Sequence, residues 1–391
     1  MQPEAGPFSD GVPTPTIGER VVVAMSGGVD SCAAALMLHE AGYSVIGVSM
    51  QVWDYRQHGG SESRATCCAP ADFDDAREIA ERSDFPYFVF DFEESFRASV
   101  IDPFVDSYLR GLTPNPCLDC NRKVKFRELR RRAAGLEARW VATGHYAQVR
   151  PVSAPDGSTV LGLFTAVDDR KDQSYFLYAM TQHDLQTTLF PVGGMTKPEV
   201  RQYLAERGFK VAHKGESQDI CFVSSSVGEF VRRRAGHRAE AHGRGKIVSR
   251  EGVELGHHEG IYQYTVGQRR GLGVSSSHPL YVLQIDPEEN TVTVGSKEEL
   301  QRASFMVDDV NWIAGIAPQA PLEVVAKLRY RHAGVRCRVV PITAKLVRVE
   351  FLDEWSAVSP GQAAVFYASS QDTDATVQVL GGGIITRDRH E

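Results

Sequence analysis

The sequence predicts an α/β fold in three parts: an N-terminal parallel-sheet domain, a small central domain and a C-terminal antiparallel β-barrel. Three observations predict it. Short β-branched runs alternate with helix-length stretches up to about residue 225, the pattern of successive βαβ units. Residues 228–278 then hold ten glycines and many charges with little helical periodicity. From about 279 onward, short alternating strands are separated by turn residues, as in a small closed sheet. The boundaries fall at a loose tail over 1–17, a first domain over 18–226, a linker domain over 227–278 and a barrel over 279–391. A chain of 391 residues is too long for one compact core.

The elements follow in order. "RVVVAM" at 20–25 reads as a buried strand, and "SCAAALMLHEAG" at 31–42 as a helix closed by glycine. "YSVIGVSMQVW" at 43–53 is a second strand. A helix over 72–83, the strand "YFVFDF" at 87–92, helices over 96–110 and 121–137 and the strand "RWVATG" at 139–144 continue the alternation. In the last part "LYVLQI-DPEEN-TVTVG" at 280–295 is a hairpin, expected to open the barrel, followed by "RCRVVPI", "KLVRVEFL" and "AAVFY".

Composition narrows the setting. Hydrophobic content of 42% and charged content of 24% are ordinary for a globular chain. No apolar run reaches 18 residues, so no membrane association is expected. The Pro/Gly-rich start lacks the apolar core of a signal peptide. Seven cysteines, an odd count, point to a reducing compartment, hence the cytoplasm. The net charge of −7 argues against a general nucleic-acid binder, but it is uneven. Residues 71–106 carry eleven acidic and three basic side chains, 122–150 carry two and nine, and 323–348 one and seven. Basic faces of that kind are either solvated surface or local phosphate binders.

Two motifs carry chemistry. "AMSGGVDS" at 24–31 joins the first strand to the first helix. Gly27 and Gly28 allow close approach of a ligand, the helix amides favour an anion, Ser26 and Ser31 offer hydroxyls, and Asp30 offers a carboxylate for magnesium. No lysine follows the glycines, so this is not the GxxxxGK[ST] loop. "TPNPCLDCNRKVKF" at 113–126 contains Cys117 and Cys120 in a CxxC, which suits a zinc knuckle, a redox dithiol, an iron–sulfur clamp or a catalytic thiol. Arg122, Lys123 and Lys125 follow Cys120 at an expected helix start, a setting that favours thiolate.

With "ATGHYA" (142–147), "KDQSYFL" (171–177), "GESQDICF" (215–222), "YTVGQRRGLG" (264–273) and "LRYRHAG" (328–334), these motifs resemble, in order, those of the bacterial tRNA-specific 2-thiouridylases. The resemblance spans about residues 18–390. It implies a pyrophosphate-loop enzyme that uses ATP and magnesium to adenylate O2 of a tRNA wobble uridine and then replaces that oxygen with sulfur. It further implies ATP contacts at Ala24, Met25, Ser26, Gly27, Gly28, Val29, Asp30, Ser31, Met50 and Gly144. Asn115, Pro116 and Cys117 would face the target base, and Lys171, Asp172, Gln173, Arg329 and Tyr330 would contact tRNA. Cys221 would carry a persulfide and Cys120 would release its sulfur, leaving a disulfide. A sulfur-donor protein, either a persulfide relay or a cysteine desulfurase, is the implied partner of a monomer. The chain departs from the family at Cys117, where many members have Asp. With Cys117, Cys120 and Cys221 in one site, a [4Fe–4S] cluster held by three thiolates is an alternative to the relay, and zinc a third. Cys32, Cys67, Cys68 and Cys337 are read as structural, and His145 as a structural or catalytic histidine. Rival functions are another pyrophosphate-loop ligase or amidotransferase, which leaves the cysteines unexplained, and a tRNA-binding module that does no chemistry.

Overall fold

The computed structural model describes residues 11–53, 70–154, 156–215, 220–223, 225–353, 357–369 and 376–387. Cys67 and Cys68 lie outside the described residues. The first domain is built on a parallel sheet of β1 (Arg20–Ala24), β2 (Ser44–Gln51), β3 (Tyr87–Asp91), β4 (Trp140–Thr143) and, further along the chain, β7 (Thr188–Leu189), in the order β3-β2-β1-β4-β7. Val21 pairs with Val45 on one side and with Trp140 on the other. β1 is thus the central strand and is buried from Val21 to Ala24. That is why it reads as a continuous apolar run and not as an alternation.

Helix α1 (Val29–Glu40) follows β1 at once and buries Cys32, Ala33, Ala34 and Ala35 completely. Small side chains there let the helix lie close to the sheet. Helix α2 (Pro70–Arg82) covers the β2–β3 side. Helix α3 runs through Glu93–Phe96, Arg97–Ile101 and Asp102–Leu109, with a π-helical middle. Helix α4 runs through Pro116–Asp119, Cys120–Glu128 and Leu129–Gly135, again with a π-helical middle. Later in the domain, α5 (Lys197–Glu206) packs on α1.

One expectation is corrected here. The hairpin at 280–295, expected in the barrel, forms β10 (Tyr281–Asp286) and β11 (Thr291–Gly295) of a separate four-stranded sheet, ordered β10-β11-β8-β9 with β8 (Gly245–Val248) and β9 (Glu254–His258). Val282, Ile285, Val292 and Val294 complete a core with Ile247, Ile261, Tyr264 and Leu272, so the hairpin's apolar face is spent inside the central domain. At the other end, helix α6 (Val227–Ala235), read as linker, packs Phe230, Val231 and Ala235 into the aromatic cluster of α3.

The barrel comprises β12 (Ser304–Trp312), β13 (Leu322–Lys327), β14 (Val335–Pro341), β15 (Val347–Phe351), β16 (Ala363–Ala368) and β17 (Gln378–Ile385). Its order, β12-β15-β14-β13-β16-β17, closes through β12–β17 pairing. A hairpin from the first domain, β5 (Gln148–Ser153) and β6 (Thr159–Phe164), extends this sheet: Gln378 and Val379 of β17 pair with Phe164 and Leu163 of β6. The first domain and the barrel therefore share one sheet.

Candidate active site

Three of the segments assigned to ATP meet at one edge. The loop at 25–28 leaves the carboxyl end of β1, Met50 sits near the carboxyl end of β2, and Gly144 follows β4. These strands are neighbours, and the strand order reverses direction between β1 and β4, which is where open α/β sheets bind their ligands. Gly27 has φ +68° and is buried against α2: a Cβ there would lie 1.8 Å from the Asp72 carbonyl oxygen. Gly144 packs on the start of α1, where a Cβ would come within 2.5 Å of the Ser31 amide. The Ser31 hydroxyl accepts from the Ser26 amide (3.0 Å) and lies 3.2 Å from the Ser26 hydroxyl, so the loop is tied to the helix start by its own serines.

Asp30 is more tightly held than its sequence suggests. The Lys197 ammonium donates to both carboxylate oxygens at 2.6 and 2.8 Å, and the Tyr146 hydroxyl donates to Oδ1 at 2.7 Å. Lys197 is buried at the first turn of α5. The magnesium read onto Asp30 therefore meets a carboxylate already paired with a cation. Its side chain is still 30% exposed, and one accessible carboxylate edge with substrate phosphates is a usual magnesium arrangement. Lys214 ties down the loop from the other side: its ammonium donates to the Gly27 carbonyl at 3.0 Å and pairs with Asp72 and Asp75, both at 2.5 Å. Lys197 and Lys214 were invisible in the sequence because neither lies in a phosphate-loop motif. Lys197 follows a Thr196 capping box, which marks a helix start but no ligand.

The described cysteines separate into three kinds. Cys120 and Cys221 are half-buried and lean on the same aromatic cluster, built around Phe96, Phe104 and Phe222. Cys117 is exposed, and the Asn115 side chain caps its amide at 3.1 Å. Helix α4 begins at Pro116, so Cys120 lies one turn inside it and not at its start. Cys117 takes the first-turn position. The expected cationic setting of Cys120 is also partly offset, since Lys123 pairs with Asp119 (2.8 Å) and Arg122 with Asp309 of β12 (2.8 Å). Cys120 opens the π-helical stretch, a distortion common at functional sites. Among the described residues no three His, Cys, Asp or Glu side chains gather to hold a metal ion. Burial pushes the thiols of Cys32 and Cys337 up to about 12, which keeps them protonated and inert. His145 is buried, its Nδ1 lies 2.8 Å from the Thr143 hydroxyl, and burial together with Lys125 drives its pKa well below the usual histidine value.

The segments assigned to tRNA lie together on the barrel side. Lys171 and Gln173 are partly exposed, but Asp172 is buried. Its carboxylate accepts from the Ala166 amide (3.2 Å) and from the Ser174 amide (3.2 Å) and hydroxyl (2.9 Å), and lies 3.6 Å from the Lys327 ammonium. Asp172 thus shapes the loop and anchors it to β13. Arg329 is exposed in the β13–β14 loop, while Tyr330 packs on Phe176 with ring centroids 4.4 Å apart and the planes tilted by 42°.

Comparisons with known proteins bear on this arrangement. Three family models match in succession: a tRNA methyl transferase HUP domain over residues 19–225, a tRNA methyl transferase PRC-barrel domain over 230–296 and an aminomethyltransferase beta-barrel domain over 302–385. Among curated proteins, the tRNA-specific 2-thiouridylase MnmA of Geobacter metallireducens is 48% identical over 94% of this chain and 96% of its own length. The protein of that name from Geotalea uraniireducens is 47% identical over 94% and 95%, and that from Rickettsia felis 45% identical over 94% and 97%.

Proposed function

Because this chain belongs to the tRNA-specific 2-thiouridylase family, we propose that it converts the wobble uridine of tRNA to 2-thiouridine, using ATP and a cysteine persulfide. The observation that carries the reading is the pairing of a pyrophosphate loop with two half-buried cysteines on one aromatic cluster. Methyl transfer, the word in the family descriptions, needs neither a phosphate loop nor two thiols. A pyrophosphate-loop ligase would leave the cysteines idle.

The chemistry follows from what each group can do. A carbonyl oxygen is a poor leaving group, so O2 of the uridine attacks the α-phosphorus of ATP and pyrophosphate departs. The loop amides and α1 N-terminus hold the departing pyrophosphate. Magnesium, when bound with ATP, offsets phosphate charge, and Asp30 is the side chain that would hold it. The terminal sulfur of a Cys221 persulfide then attacks C2. The Cys120 thiolate attacks Cys221 Sγ, the sulfur–sulfur bond breaks, and its electron pair stays with the sulfur on C2. AMP leaves as C2=S forms. Cys120 and Cys221 end as a disulfide, which an external dithiol must reduce before the next turnover. With Cys120 and Cys221 half-buried on one aromatic cluster and Cys117 exposed, we take the relay over the iron–sulfur reading. A sulfur-donor protein in the cytoplasm would reload Cys221, and the enzyme would act as a monomer.

The test uses aerobic, iron-free protein with ATP, a persulfide donor and unmodified tRNA. Wild type and Cys117→Asp should yield AMP and 2-thiouridine, while Cys120→Ser and Cys221→Ser should bind ATP and tRNA yet yield no 2-thiouridine. Product from Cys120→Ser would reject the relay. Activity only after anaerobic iron reconstitution would replace it with the cluster.

A further inference from the structure

Two hydrogen-bond routes leave Asp30 and arrive at the same loop. Along the first, the Tyr146 hydroxyl donates to Asp30 Oδ1 at 2.7 Å, and the Tyr146 backbone is clamped on both sides by Gln173: Tyr146 N donates to Gln173 Oε1 at 3.0 Å, and Gln173 N donates to the Tyr146 carbonyl at 2.9 Å. Along the second, the Lys197 ammonium grips Asp30 while its backbone amide donates to Asp168 Oδ2 at 2.9 Å, and the Asp168 carbonyl accepts from the Lys171 amide at 3.1 Å. The 168–173 loop is in turn fixed to the barrel through Asp172 and Lys327. This loop is thus linked to Asp30 through Tyr146 and Lys197 and also carries the partly exposed Lys171.

We propose that Tyr146 and Lys197 are positioning residues that make nucleotide binding and tRNA binding reinforce each other through the 168–173 loop. This rests on the reading of Lys171 and Gln173 as tRNA contacts. The physical ground is competition for a buried charge. Lys197 is buried with Asp30 as its counter-charge. A triphosphate at residues 26–31 brings further negative charge to the same ammonium, so the Asp30 carboxylate and the Tyr146 hydroxyl must re-aim when ATP arrives. Tyr146 is 2% exposed, and a packed side chain of that size moves its own backbone rather than swinging alone. Its backbone is what Gln173 holds. The loop geometry that suits tRNA and the Asp30 geometry that suits ATP are thereby one choice. By thermodynamic reciprocity, each ligand then tightens the other by the same factor.

The experiment measures the affinity of a non-cleavable ATP analogue with and without saturating unmodified tRNA. Wild type should bind the analogue on the order of tenfold more tightly with tRNA. Tyr146→Phe, which removes one hydroxyl, and Gln173→Met, which removes the acceptor while keeping the length, should each lower that ratio severalfold, the remainder being carried by the intact Lys197 route. The double variant should be no worse than either alone, because both cut the same route. The converse titration, tRNA with and without the analogue, should give the same ratio in every variant. A full ratio in Tyr146→Phe, or losses that simply add, would overturn the coupling, as would wild-type protein that binds tRNA and makes 2-thiouridine with no change in nucleotide affinity. Wild-type protein that binds no tRNA would overturn the functional reading itself, and the coupling with it.

Discussion

Gly27 and Gly28 stand side by side and are opposite kinds of glycine. Gly27 has φ +68° and no room for a Cβ beside Asp72, whereas Gly28 has φ −88° and meets only the Ser26 hydroxyl at 3.4 Å. Gly27→Ala should therefore lower the thermal midpoint, since it strains the backbone and pushes on α2. Gly28→Val should melt close to wild type and yet form no tRNA-dependent AMP, because its branches occupy the space over the loop amides. Calorimetry with an AMP assay separates the two, and a folded, active Gly28→Val would remove this loop from the ATP site. Both glycines were legible as loop residues in "SGGVDS", but which one serves the fold was not, because the partner is a carbonyl 45 positions away in sequence. His145 gives a pH prediction. Its pKa in the fold lies well below the 6.5 of an exposed histidine, so the unfolded chain takes up the proton first as pH falls. The stability it contributes is present above about 6.5 and is lost on acidification below that value. Wild type should lose more stability than His145→Asn between about pH 7.5 and about pH 5, as read from urea midpoints at each pH. Equal losses would mean that His145 is accessible to protons in the fold.

At the scale of elements, helix α4 began earlier than the sequence reading placed it. "NPC" held the signal, an Asn cap followed by Pro at the first helical position, but the same letters also spell a turn. The π-helical stretch that starts at Cys120 had no sequence signature, since its hydrogen-bond spacing is set by what the helix packs against. One such contact is visible: buried Asn121 donates to the Phe176 carbonyl at 3.3 Å, joining α4 to the 171–177 segment. The β13–β14 loop makes the complementary case. Its motif was read as one unit, yet the structure separates its residues, with Tyr330 docked on Phe176 and Arg329 left exposed. Arg329→Ala should weaken tRNA binding and reduce the slope of log affinity against log salt by about one, with ATP affinity unchanged. Binding measured across a salt series checks both, and a wild-type slope would remove the barrel from the tRNA-binding surface.

For the whole molecule, the order of domains was legible and their interlocking was not. "QVRPVS" and "TVLGLF" form a local hairpin, but nothing local says that their sheet is completed from the far end of the chain. The link is firm: the Val377 amide donates to the Thr165 hydroxyl at 2.8 Å, and the Thr165 amide to the Val377 carbonyl at 2.9 Å. Leu161, Leu163, Tyr175 and Tyr178 are buried in the cluster that joins this hairpin to the barrel. A chain ended after residue 300 should expose them and run as aggregate on size exclusion, although it keeps every residue assigned to ATP. A monomeric, ATP-binding fragment would show that the first domain stands alone. The shared sheet also has a consequence in time. Thr165 emerges from the ribosome 212 residues before its partner, a delay of roughly ten to forty seconds at about 5–20 residues per second. Until β17 has been made, the hairpin beside the 168–173 loop has no sheet to join. A product that stops before β17 would carry the loop at 25–28, Cys120 and Cys221 but lack the strand that completes the hairpin's sheet. Such incomplete copies should form no tRNA-dependent AMP, which an AMP assay on the truncated chain checks.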